Sequence, residues 1–106
     1  MGNLKFKPKK KADIARITAM IKGVNDLVAM SLVTFTKGPE VYIFPEILVG
    51  KGDDYNRNFC KNLLTYYRIH SGKSPEETRN TIIAIYNKST DRLIFTYSDQ
   101  SGLTTN

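Results

Sequence analysis

SPEETRNTIIAIYNKSTDRLIFTYS, residues 74–98, decides between two architectures. It opens as a helix start. Ser74 can cap, Pro75 stands where no N–H is needed, and Glu77 closes a capping box. The residues after this start argue against a long helix. Thr81, Ile82, Ile83 and Ile85 are β-branched, NKSTD reads as a turn, and Leu93, Phe95 and Tyr97 alternate with Ile94, Thr96 and Ser98. The reading adopted is one helical turn over 75–79, then a β-hairpin of 81–86 and 92–98. A helix running through Asn87 before a lone strand is the alternative.

Upstream, residues 54–70 are helical in period. Phe59, Leu63, Tyr66, Tyr67 and His70 project to one side, and Arg57, Lys61 and Arg68 to nearly the opposite one. Asp53 suits the N-cap, and Gly72 a left-handed C-cap. Before it, residues 31–36 and 41–49 are rich in β-branched and aromatic residues around Gly38-Pro39, the pattern of a first hairpin. Pro45 cannot donate to a ladder and marks an edge or a bulge. Residues 13–30 carry Ile14, Ile17, Ile21, Val24 and Val28 at steps of three and four, an amphipathic helix that Gly23 weakens and is placed to end.

The order α-β-β-α-β-β predicts a two-layer α+β fold: a mostly antiparallel four-stranded sheet with both helices on one face. Residues 1–11 read as a flexible basic arm, 12–98 as a single domain and 99–106 as a polar tail. Aromatics fall on predicted strands (Tyr42, Phe44, Tyr86, Phe95, Tyr97), and register decides which of them face away from the helices.

The net charge of +6 is lopsided. Residues 1–37 hold eight Lys or Arg against two acids, whereas residues 38–106 hold eight of each. Lys5, Lys7, Lys9, Lys10 and Lys11 concentrate the excess in the arm. Gly2 before this run resembles the start of myristoylated peripheral proteins, but Phe6 stands where that pattern has Ser or Thr, so a membrane partner is not expected. No secretory signal or spanning segment is read, and the expected location is cytoplasmic.

Chemistry is sparsely signalled. One cysteine and one histidine exclude a Cys/His zinc site, no metal or other cofactor is expected, and no catalytic residue is assigned. Asp53 and Asp54, with Glu40 and Glu46, leave a metal-dependent nuclease as a third option. No zinc finger, P-loop, dinucleotide fingerprint or helix-turn-helix signature occurs. The leading expectation is a non-catalytic nucleic-acid-binding accessory protein. Phosphates would be held by Lys5, Lys7, Lys9, Lys10 and Lys11 with Arg57, Lys61 and Arg68, with weak sequence preference. The alternative is an interaction module, an inhibitor or adaptor docking on an acidic protein. Exposed strand edges leave a homodimer open.

Overall fold

Helix, hairpin, helix and three further strands succeed one another in a computed structural model that describes residues 11–74 and 76–105. Helix α1 (Lys11–Ala29) is long because its apolar stripe buries Ile17 and Val24. Gly23 does not end it; tertiary packing carries the helix through a weak former. The stop comes at Ser31, whose φ of 61° is left-handed. Ser31 N–H donates to the Val28 carbonyl and Leu32 N–H to the Leu27 carbonyl, the paired bonds of a Schellman end.

Strands β1 (Val33–Phe35) and β2 (Glu40–Ile43) form the first hairpin, antiparallel, with Val33 opposite Ile43 and Phe35 opposite Val41. The second strand is shorter than the expected 41–49. Pro45 starts a 3-10 turn (Pro45–Leu48) instead, since its fixed φ and missing N–H suit a helical first turn better than a ladder. Helix α2 (Asp53–Ser71) then crosses the sheet. Gly52 is its N-cap, without a side-chain bond, so Asp53 moves from the expected cap into the first turn beside Asp54, where the helix dipole favours acids. Gly72 closes it as expected, in the left-handed region at φ 69°.

The deciding stretch resolves toward strands. Ser74 and Glu77 form the reciprocal capping box: Ser74 N–H donates to Glu77 Oε1 at 2.9 Å, and Glu77 N–H to Ser74 Oγ at 3.1 Å. Only turns occupy 76–80, and Pro75 lies outside the described residues. Strands β3 (Ile83–Asn87) and β4 (Leu93–Ser98) pair antiparallel, with a register shift at Ile85/Tyr86.

The sheet has five strands in the order β1-β2-β3-β4-β5, not four. Residues 102–105, read as part of a polar tail, form β5 (Gly102–Thr105) antiparallel to β4. Gly102 supplies the left-handed turn at φ 71°, and Leu103 lies opposite Tyr97 and packs on the core. Mostly antiparallel pairing holds: only β2–β3 is parallel, because α2 carries the chain back across the sheet before β3 begins. Val33, Val41, Ile43, Ile83, Ile85, Phe95 and Tyr97 form one core with Val24 of α1 and with Phe59, Cys60, Leu63, Leu64 and Tyr66 of α2. Both helices therefore cover one face of the sheet, and the other face is open. Among the described residues, no helix is long and apolar enough to cross a membrane.

Candidate functional site

The basic side of α2 is not one exposed ridge. Arg57 is exposed, and its Nη1 lies 2.8 Å from Asp54 Oδ1 one turn earlier. Such a surface pair contributes about 0–1 kcal/mol, and its cation is already partly neutralised. Lys61 is exposed, and its ammonium has no hydrogen-bond or ion-pair partner among the described residues. Arg68 departs from the expectation altogether, being only 6% exposed. The projection treated the far side of α2 as solvent. In the fold, the turn after Gly72 and the β4–β5 turn both close over it.

Those two turns hold the Arg68 guanidinium in place. Nε donates to Thr78 Oγ1 at 2.6 Å and Nη2 to the Thr78 carbonyl at 3.3 Å. Nη2 also lies 2.8 Å from Asp99 Oδ2. Thr78 is itself oriented, its hydroxyl donating to the Ser74 carbonyl at 2.9 Å. A buried cation held on two sides is hard to move, because losing either partner leaves its charge uncompensated away from water. Nη1 has no partner among the described residues and belongs to a side chain that lines a groove between α1 and α2.

That groove, of about 740 Å³, places Arg16 and Met20 of α1 opposite Asn58, Lys61 and Thr65 of α2, with Arg68 and Asp99 also on its walls. Of the three cations on its walls, Arg68 is paired with the one carboxylate, Asp99, so the exposed Lys61 supplies the charge that favours an anion. The Asn58 and Asn62 amides add neutral donors, whereas the Thr65 hydroxyl already donates to the Lys61 carbonyl at 3.0 Å. Arg16 lies near the start of α1, so the lysine-rich sequence joins the fold at this end. Lys11 opens α1; Lys5, Lys7, Lys9 and Lys10 lie outside the described residues. Arg16 was missed from sequence because it sits off the apolar stripe of α1 and only packing brings it beside Lys61.

The open sheet face carries a second feature. Tyr42 and Tyr86 stack across β2 and β3 with centroids 5.2 Å apart, beside Thr34 of β1. Lys88 Nζ lies 5.4 Å from the Phe44 ring centroid and donates to the Ser31 carbonyl at 3.2 Å and Thr34 Oγ1 at 3.0 Å. All these partners are neutral, so the lysine charge is not cancelled there. Phe95 and Tyr97 point the other way, into the core.

Among the described residues, no three of His, Cys, Asp and Glu converge to hold a metal. Cys60 is fully buried, and desolvation pushes its thiol up to about 12, which removes it as a nucleophile. His70 is exposed, its ring 4.2 Å from that of Tyr66. Comparison with protein-family models, curated proteins and solved structures found no match to this chain.

Proposed function

We propose that this chain is a non-catalytic, nucleic-acid-binding accessory protein that holds phosphates between the α1–α2 groove and the lysine-rich N-terminal sequence. The observation that carries the reading is the groove itself: Lys61 and Arg16 line it beside an arginine fixed by Thr78 and Asp99. A pre-oriented guanidinium loses little entropy on meeting a phosphate oxygen. Lys5, Lys7, Lys9, Lys10 and Lys11 add charge in the sequence that leads into α1, and their affinity comes from counterion release rather than base contacts. Sequence preference is therefore weak, and a cytoplasmic setting suits such a protein. Arg57 contributes less than Lys61, since Asp54 already holds it.

The test is an anisotropy titration of the full chain with labelled single-stranded DNA, duplex DNA and RNA at two salt concentrations. Replacing Lys5, Lys7, Lys9 and Lys10 together by Gln should flatten the log–log salt slope by roughly 3 to 4 units on duplex DNA. Lys61→Glu should weaken binding more than Arg57→Glu. Affinity that ignores salt, or a slope that the quadruple substitution leaves unchanged, overturns the reading.

A further inference from the structure

The C-terminal ends of α1 and α2 and the strand β1 enclose a second cavity, of about 450 Å³, with Val28, Phe35, Lys37, Tyr66, Tyr67 and His70 among its walls. A space of this size suits a small molecule. Rings organise it. Tyr66 is buried, and its hydroxyl donates to Asn25 Oδ1. It stacks on Phe35 at 4.9 Å and lies 4.2 Å from the His70 ring, so it fixes both neighbours in place. Phe35 and Tyr67 are half-buried and His70 is exposed, which leaves ring surface open to the cavity.

The hydroxyls on these walls are already engaged. Thr36 Oγ1 donates to the Glu40 carbonyl at 3.0 Å and Ser71 Oγ to the Arg68 carbonyl at 3.3 Å, while Thr34 Oγ1 accepts from Lys88 at 3.0 Å. The Lys37 ammonium, the His70 imidazole and the Tyr67 hydroxyl have no hydrogen-bond or ion-pair partner among the described residues. No carboxylate lines the cavity; Glu40 is tied to Thr36 Oγ1 at 3.2 Å, outside the walls. A second exposed lysine, Lys73, stands 5.9 Å from the Tyr67 ring centroid. The helix ends do not present bare carbonyls to an anion either. The Val28 carbonyl accepts from Ser31 N–H, and those of Arg68 and Ile69 accept from Lys73 and Gly72 N–H.

We propose that this cavity binds a small, flat aromatic carboxylate. The ring of the ligand packs among Phe35, Tyr67 and His70 with Val28 at its edge, and its carboxylate meets Lys37. One ammonium on the wall matches one singly charged acid, and the His70 and Tyr67 donors complete its hydrogen bonds. A nucleotide fits less well. Its sugar hydroxyls would face threonine and serine hydroxyls that are already bonded, and burying them without partners is costly. This inference does not rest on nucleic-acid binding, and the cavity shares no lining residue with the α1–α2 groove.

The probe is naphthoate, titrated calorimetrically into the full chain without nucleic acid. Binding is expected. Naphthamide, with the same ring and no charge, should bind about tenfold more weakly, and cyclohexanecarboxylate, with the charge and no flat ring, should lose a similar factor. Lys37→Gln should abolish the advantage of the acid over the amide, and His70→Ala should weaken both. Both side chains are exposed, so the fold should survive either change. Lys51→Gln, which alters a lysine set over a different ring, Tyr55, should leave naphthoate binding as it was. A chain that ignores naphthoate, that binds acid and amide equally, or that is indifferent to Lys37→Gln overturns the proposal. So does tighter binding of adenosine monophosphate than of naphthoate, which would assign the cavity to nucleotides.

Discussion

Cys60 has no exposed surface, and Phe59, Leu63 and Leu64 surround it in sequence and in the core. Its thiol is pushed from 9.0 to about 12 because a thiolate there would lose its water. The unfolded chain releases this proton near its ordinary value, whereas the native chain still holds it. Above about pH 9 the unfolded state therefore binds fewer protons, and stability falls as pH rises until the native thiol also ionises. One such group contributes a slope of about 1.4 kcal/mol per pH unit at most. Tyr97 acts in the same direction, raised first by burial and then by the Asp99 carboxylate. Urea midpoints measured from neutral pH to the alkaline limb should thus fall more steeply for the native sequence than for Cys60→Ala, which keeps only the tyrosine share. Parallel slopes would mean that water reaches the thiol.

Two glycines, one inside a helix and one capping a helix end, make opposite predictions. Gly23 lies inside α1, and a Cβ there meets nothing within 4 Å, so Gly23→Ala should stabilise by about 0.5–1 kcal/mol through the unfolded chain. Gly72 also has open space around its Cβ position, but its φ is 69°. Gly72→Ala should therefore cost about 1–2 kcal/mol, from conformation alone. Thermal or urea unfolding of both variants checks the pair of signs. Ser31 shows that α1 already carries such a cost at its own end, where the same left-handed turn is made without glycine. Strand β5 gives the complementary lesson. GLTT has too little apolar character to declare itself, yet Leu103 against Tyr97 and the ladder to β4 are enough to recruit it.

A single core links α1, α2 and strands β1 to β4, with Leu103 of β5 packed against it, so the molecule should unfold as one unit. Leu63 lies in that core with no exposed surface. Leu63→Ala should cost about 2–5 kcal/mol, and far-UV circular dichroism and tyrosine fluorescence should shift together. Separated transitions would show instead that α1 and its hairpin form a weaker subunit of the fold. The same layering sets the surfaces apart. The α1–α2 groove opens on the helix side, the Tyr42–Tyr86 stack on the sheet side, and the β1 edge between them.

Much of this was legible from short-range order. The period of α1 and α2, the capping box at Ser74, the Gly72 cap and the alternation in β4 are written in neighbouring residues, because propensity and period act over a turn or a strand pair. The basic excess of residues 1–37, with Lys61 and Arg57 on the polar side of α2, was equally visible. Partners distant along the chain were not. Thr78 and Asp99 lie 10 and 31 positions beyond Arg68, and only folding brings them to its guanidinium and takes it out of solvent. The parallel β2–β3 pair, the recruitment of β5 and the placing of Arg16 and Lys61 on one groove were decided in the same way. Each depends on which surfaces remain to be covered once the local elements have formed, and that is a property of the assembled layers rather than of any window of sequence.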